Sequence, residues 1–250
     1  MSGKLNEKVA VITGGSSGIG LGIAKRFVRE GAKVAITGRN QQSIDHALSE
    51  IGPDAIGLRG DVSNLDDLTR IYQHVADRFG RIDTLVVNAG VYVLGPLGQF
   101  TEEEFDTVSD INFKGAFFSV QKALPVLKDG ASVILISSTV NTKGVPNHAA
   151  YAATKAAVRS LARSFSADLL GRGIRVNTLS PGPIDTPVFA TVTGSPEEAN
   201  AMKTAMGNFT PVKRVGTPAE IAAAAVYLAS DESAFMLGAE IVLDGGLNEL

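Results

Sequence analysis

The sequence predicts an α/β protein built on one doubly wound parallel sheet of seven strands, with helices on both faces. Three observations carry this. Short apolar runs alternate along the whole chain with amphipathic helical patterns, the signature of strands buried on both faces between crossover helices. The first apolar run feeds a glycine-rich turn and then a helix. Nowhere in the 250 residues is there a linker or an internal repeat, so residues 1–250 read as a single domain.

Composition narrows the function. The chain is 44% hydrophobic and 20% charged, enough apolar content for a packed core. A net charge of −3 supplies no attraction for nucleic acid or an anionic membrane. With no cysteine, disulfides, thiolate chemistry and cysteine-ligated metal are excluded, and no metal site is expected. The start, Met1 to Lys8, lacks the apolar core of a signal peptide, and no later run is long enough to span a bilayer. The expectation is a cytoplasmic protein without membrane or nucleic-acid partners.

Taken in order, Val9–Ile12 is the first strand, followed by Thr13-Gly14-Gly15-Ser16-Ser17-Gly18-Ile19-Gly20 and a helical pattern that stops at Gly31. Glycines let a backbone approach an anion closely, and the free amides and dipole of a helix start attract it. A dinucleotide phosphate at Gly14, Ser16, Ser17, Gly18, Ile19 and Gly20 is the functional reading; tight strand–helix packing alone is the alternative. The second strand, Lys33–Thr37, ends at Gly38-Arg39-Asn40, where such folds meet the adenosine ribose. No carboxylate stands there to repel a 2′-phosphate. Arg39 offers a guanidinium fork that suits one, with Ser16, Ser17 and Asn40 as further hydrogen-bonding partners. This predicts NADP(H) over NAD(H).

Helix Gln41–Glu50 leads to a third strand near Ala55–Gly60 that ends at Asp61-Val62. Asp61 suits an adenine amino group, with Val62 against the ring, and equally suits the cap region of the next helix, Leu65–Arg78. Strand four, Ile82–Val87, ends in Asn88-Ala89-Gly90, small residues past which a ribose can lie. Thr101-Glu102-Glu103-Glu104 reads as a helix start. Asn112 interrupts an apolar helical stretch between Val108 and Leu127. It is either a satisfied buried amide or a kink that frees a carbonyl for water. Strand five, Ser132–Ile136, runs into Ser137-Ser138, which puts Ser138 at a strand's ligand-facing end. Of three histidines, His46 and His74 fall on outer helices, and His148 sits in a loop beside Tyr151. No histidine–acid pair at a nucleophile elbow is visible, so a Ser-His-Asp hydrolase is not expected.

Tyr151 and Lys155 open a helix, Ala149–Leu170, and at four-residue spacing share one of its faces. A fixed ammonium beside a phenol stabilises the phenolate and brings it towards acid–base use at neutral pH. The same helix is apolar on more than one face, so a subunit contact is expected. Strand six, Ile174–Leu179, ends in Ser180 to Pro187, a rigid three-proline segment placing Pro181, Gly182, Ile184 and Thr186 beside the crevice. Residues 188–209 carry weak signals and read as a mobile substrate lid. Thr217-Pro218-Ala219-Glu220 is a capping box, and Glu240–Leu243 the last strand. Val91, Tyr92, Val93, Val145, Val188, Phe189 and Met206 form an expected apolar substrate pocket.

Thr13-Gly14-x-x-x-Gly18-Ile19-Gly20, Asp61-Val62, Asn88-Ala89-Gly90, Asn112, Ser138, Tyr151-x-x-x-Lys155, Pro181-Gly182 and Asp244-Gly245-Gly246, in this order, resemble the short-chain dehydrogenase/reductase family over the whole chain. The resemblance implies a Rossmann fold and a homotetramer. It also implies hydride transfer between NADP(H) and a ketone or secondary alcohol, with Tyr151 as general acid/base, Ser138 on the carbonyl oxygen, Lys155 on the tyrosine and the nicotinamide ribose, and Asn112 holding a relay water. Val87 departs from the pattern, standing where the family often has an asparagine. Two other readings are a 3-oxoacyl-[acyl-carrier-protein] reductase of fatty-acid synthesis and a non-catalytic NADP(H)-sensing protein; the latter has no use for the full residue set.

Overall fold

A computed structural model describes residues 3–250; Met1 and Ser2, part of the start read above, lie outside the described residues. Seven strands, β1 (Val9–Ile12), β2 (Lys33–Gly38), β3 (Ala55–Arg59), β4 (Ile82–Val87), β5 (Leu127–Ile136), β6 (Arg175–Pro181) and β7 (Glu240–Leu243), form one sheet in the order β3-β2-β1-β4-β5-β6-β7. All neighbours run parallel. The order reverses between β1 and β4, which leaves a crevice beyond their C-terminal ends.

Side-chain alternation divides the core into two layers. Ala10 and Ile12 point to one face, where helices α1 (Gly18–Arg29), α2 (Gln41–Ile51) and α9 (Pro218–Ala229) contribute Ile23, Phe27, Ile44, Ala47 and Ile221. Val9 and Val11 point to the other, against Leu68, Ile71 and Val75 of α3 (Leu65–Phe79), Val120 of α5 (Gly115–Ala123), and Val158 and Ala162 of α6 (Ala149–Asp168). Among the described residues no helix is long and apolar enough to cross a membrane.

Two stretches depart from the sequence expectation. Strand β5 starts at Leu127, because Leu127 pairs with Ile82 before the ladder slips and resumes at Ser132 opposite Thr84. The intervening Lys128-Asp129-Gly130 is exposed, with Gly130 at φ +79°, so it carries no strand-like pattern. Residues 188–209, expected as a weakly structured lid, form two helices, α7 (Val188–Val192) and α8 (Pro196–Phe209). Ser195 caps α8 by accepting from the Glu198 amide at 3.2 Å, and Pro196 occupies its first turn. Lys203 of α8 bonds Asp185, tying this unit to the loop after β6.

The Asn112 interruption is a π turn, Asp110–Lys114, between α4 (Glu102–Ser109) and α5. The Gly115 amide reaches back to the carbonyl of Asp110, one residue further than in an α-helix. Helix α9 (Pro218–Ala229) begins at the expected capping box, with the Glu220 amide on Thr217 and the Thr217 amide on Glu220.

Candidate active site

The crevice at the switch point has a volume of about 610 Å³. Gly14, Ser16, Ser17, Gly18 and Ile19 line one wall, Gly38 and Arg39 the end of β2, Asp61 and Val62 the end of β3, Asn88 to Tyr92 the end of β4, and Thr186 and Val188 the far side. Gly14 and Gly18 have φ of +63° and +54°, the left-handed conformation that L side chains resist. Gly20 does not line the crevice. It supports the turn from behind, where a Cβ would lie 2.3 Å from the Gly14 carbonyl oxygen. Asn88 braces the same turn, its Nδ2 donating to the carbonyls of Thr13 (3.0 Å) and Gly14 (2.9 Å), while the amides of Asn88 and Ala89 donate to Thr13 Oγ1. A bare backbone cradle at the start of α1 fits a pyrophosphate.

At the adenosine end, a Cβ on Gly38 would stand 2.9 Å from Ser16 Oγ, so the missing side chain makes room for that hydroxyl. The Arg39 side chain is 65% exposed, and its nearest acid, Asp61 Oδ2, is 4.0 Å away. Its fork is therefore weakly committed within the chain and, with Ser16, fits a 2′-phosphate. Asn40 is different. It does not line the crevice, and its Oδ1 caps α2 by accepting from the Ser43 amide at 2.9 Å. Asp61 is not a helix cap: Asn64 caps α3, and Asp61 Oδ1 accepts from the amide and hydroxyl of Ser63. Pro181, Gly182 and Ile184 also stand outside the main crevice, Ile184 buried and bridged to Gly216. Thr186 does face it, and a Cβ on Gly18 would lie 3.3 Å from the Thr186 Cβ.

Ser138, Tyr151, Lys155 and Asn112 converge behind Gly90 to Tyr92. Gly90 marks the meeting point, since a Cβ there would lie 3.1 Å from Asn112 Oδ1 and 3.6 Å from Lys155 Nζ. Asn112 is buried and satisfied: Oδ1 accepts from the Val91 amide (2.8 Å), while Nδ2 donates to the Val91 carbonyl (2.9 Å) and to Thr154 Oγ1 (3.4 Å). It thereby pins the loop after β4 to the π turn and to α6. Lys155 is buried, its Nζ donating to the Ile136 carbonyl at 3.0 Å and lying 5.7 Å from the centre of the Tyr151 ring. Burial lowers its pKa to about 8.

The phenol corrects the sequence expectation. Burial pushes the Tyr151 pKa up rather than down; the adjacent Ser138 hydroxyl opposes this in part, and Tyr92 adds to it. The ammonium is engaged by the Ile136 carbonyl, so desolvation dominates and the phenol is held protonated at neutral pH. Without a bound ligand, burial alone keeps the proton on Tyr151 Oη.

Of the expected substrate pocket, Val91, Tyr92 and Val188 line the crevice. Phe189 is buried, and Val93, Val145 and Met206 are half-buried outside the crevice wall. His148, only a neighbour of Tyr151 in the sequence, is buried here with its Nε2 2.6 Å from the Tyr92 hydroxyl. A second network joins residues to which the sequence pattern assigns no role. Ser137 Oγ donates to the Lys155 carbonyl (2.8 Å), and Asn141 Nδ2 donates to Ser137 Oγ and to Glu240 Oε1 (2.6 Å). Glu240 also bonds Ser180 and Arg159. A lone acid opening an apolar last strand was the one available clue. On α6, the face expected to need a subunit as cover is partly covered within the chain, where Phe165 meets Phe117 at 5.4 Å.

Comparison with known proteins agrees with this geometry. The family model described as enoyl-(acyl carrier protein) reductase matches residues 14–248. An oxidoreductase, asL5, of Sarocladium schorii is 43% identical over 99% of this chain and 98% of its own length. An NADP-dependent (R)-specific alcohol dehydrogenase of Lentilactobacillus kefiri is 40% identical over 98% of each chain. A versicolorin reductase, stcU, of Emericella nidulans is 34% identical over 97% of this chain and 96% of its own. A crystal structure of a short-chain dehydrogenase/reductase described as glucose/ribitol dehydrogenase, from Brucella melitensis, superposes with a TM-score of 0.92 at 30% identity, covering 100% of both chains. Matched by the family model over residues 14–248 and by these relatives along nearly its whole length, the chain belongs to the short-chain dehydrogenase/reductase family of oxidoreductases.

Proposed function

We infer that the protein is an NADP(H)-dependent carbonyl reductase/alcohol dehydrogenase, interconverting a ketone and a secondary alcohol. The observation that carries this is the convergence of Ser138, Tyr151, Lys155 and Asn112 behind Gly90, at the edge of a crevice whose far end holds Arg39 and Ser16. When bound, NADP(H) supplies or accepts the hydride. Gly14 to Gly20 would hold its pyrophosphate, Arg39 and Ser16 its 2′-phosphate, Asp61 and Val62 its adenine, and Lys155 and Thr186 its nicotinamide end. Ser138 orients the carbonyl oxygen, and Tyr151 Oη, protonated at neutral pH, gives that oxygen its proton. In the alcohol direction the same oxygen takes the proton back. Lys155 adds positive charge where negative charge develops, and Asn112 keeps the π turn in the position from which a relay water can resupply the proton.

Two of the relatives support this reading by name, one an NADP-dependent alcohol dehydrogenase and one a versicolorin reductase. The family model's name raises a carrier-protein substrate as the second reading. That substrate needs a basic docking surface, and two of the basic groups that could supply one are neutralised, Lys203 by Asp185 and Arg214 by Glu220. Assembly as a homotetramer in the cytoplasm belongs to the same reading; exposed Phe105 in α4 and Phe113 in the π turn offer apolar contact surface. Oxidation of NADPH and of NADH is followed over a panel of ketones and acetoacetyl thioesters. Ketone-dependent oxidation faster with NADPH is expected. Turnover confined to thioesters supports the second reading, and no turnover of any carbonyl compound overturns both.

A further inference from the structure

Tyr92 and His148 make a contact that none of the steps above uses. The Tyr92 ring borders the crevice and meets the Tyr151 ring edge-on, with centroids 4.7 Å apart at 89°. Its hydroxyl lies 2.6 Å from His148 Nε2, and His148 Nδ1 lies 2.6 Å from the Pro146 carbonyl oxygen. The two loops are joined again nearby, where the Gly95 amide donates to the Asn147 carbonyl at 3.1 Å. Asn147 takes φ +65°, a conformation non-glycine residues seldom adopt, to present that carbonyl and to turn His148 inwards.

Hydrogen-bond polarity follows from these partners. A carbonyl only accepts, so Nδ1 carries the hydrogen of the neutral imidazole and Nε2 is bare. Nε2 therefore accepts, and the Tyr92 hydroxyl spends its one hydrogen on it. What remains on Tyr92 Oη for a ligand is lone pairs alone. A tyrosine facing a pocket ordinarily offers either a donor or an acceptor; this one is fixed as an acceptor by a histidine that is itself fixed by the backbone.

We propose that Tyr92, oriented by His148, is a specificity-determining residue that selects ketones carrying a hydroxyl group, accepting a hydrogen bond from it while the carbonyl is held at Ser138 and Tyr151. This rests on the ketone-reducing reading. The edge-on packing of Tyr92 on Tyr151 sets the recognition point one ring away from the reacting carbon, which suits a hydroxylated aryl ketone. Tyr92 takes no proton from the reaction and is a specificity residue, with His148 positioning it.

The test compares kcat/KM for meta-hydroxyacetophenone and its methyl ether, which keeps the oxygen and loses the donor. The wild-type protein is expected to prefer the hydroxy ketone by about tenfold, the scale of one hydrogen bond with an otherwise unpaired polar group. Tyr92→Phe keeps the ring and removes the acceptor, and the preference should fall to near one. His148→Ala frees the Tyr92 hydroxyl to donate, and the preference should shrink mainly because the methyl ether is turned over better. His148→Gln, which can again accept from Tyr92, should restore part of it. A merely structural role lowers both substrates together and leaves the ratio unmoved. An unchanged ratio in Tyr92→Phe, or no preference in the wild-type chain, overturns the proposal while leaving ketone reduction intact. If the wild-type protein reduces other ketones of the panel but neither of these two, this proposal alone is overturned; if it reduces no carbonyl compound, the parent reading fails and this one with it.

Discussion

Replacing Lys155 by methionine should stabilise the ligand-free protein while abolishing its activity. Lys155 is 6% exposed, and its one neutral acceptor, the Ile136 carbonyl, does not compensate for the buried charge. Burial takes its pKa from 10.5 to about 8, and that difference corresponds to roughly 3 kcal/mol of charge-burial cost at pH 7. Methionine keeps the apolar stem and leaves the Ile136 carbonyl without its donor, which returns about 1 kcal/mol. The net gain is about 2 kcal/mol, or roughly 4–8 °C in Tm for a chain of this size.

The sign also fixes a pH dependence. The folded pKa lies below the unfolded one, so the unfolded chain holds the proton more tightly and the cost is full below about pH 8. It fades between about pH 8 and 10.5 and is absent above, where both states are neutral. Urea unfolding of both proteins at pH 7 and pH 10 measures this directly. The variant's advantage should be largest at pH 7 and shrink at pH 10. A variant less stable at pH 7, or an advantage that does not change with pH, refutes the reasoning.

Other consequences concern the cofactor crevice and the π turn. Arg39→Ala removes a charge-assisted contact, so KM for NADPH should rise roughly 10- to 100-fold with little change for NADH; equal effects on both in steady-state assays exclude the 2′-phosphate role. Gly20→Ala places a methyl 2.3 Å from the Gly14 carbonyl, which should cost about 1–3 kcal/mol and weaken NADPH binding in calorimetry. Unchanged binding would mean that the turn does not carry the phosphate. Asn112→Ala leaves the amide and carbonyl of Val91 unpaired, and thermal unfolding should report a loss of about 2–3 kcal/mol.

The sheet was legible because each strand is a short apolar run and the helices between them are amphipathic. The phosphate turn was legible because glycine at 14, 18 and 20 has few other uses immediately after a strand. Asn112 was visible as an anomaly, an amide in an apolar helical stretch, and the π turn is its structural form. What stayed hidden depends on through-space partners. The start of β5 is hidden by the exposed Lys128-Asp129-Gly130 slip, although Leu127 pairs with Ile82. The helix α8 did have a start signal in Ser195-Pro196-Glu197-Glu198, outweighed by the weak periodicity after it. The direction of the Tyr151 pKa turns on where the Lys155 ammonium points, which spacing along a helix does not specify. Likewise His148 and Tyr92 are 56 residues apart, and only the folded chain joins them.

That Tyr151 gives its proton to a ketone oxygen is the step on which the proposed reaction depends. It is tested most directly by comparing wild type and Tyr151→Phe for NADPH oxidation with the best ketone of the panel, with NADPH binding measured on both. The phenylalanine keeps the ring packed against Tyr92 and loses only the hydroxyl. NADPH binding should be retained and kcat reduced by about 100-fold or more, the scale of one general acid. Equal rates in the two proteins would contradict it.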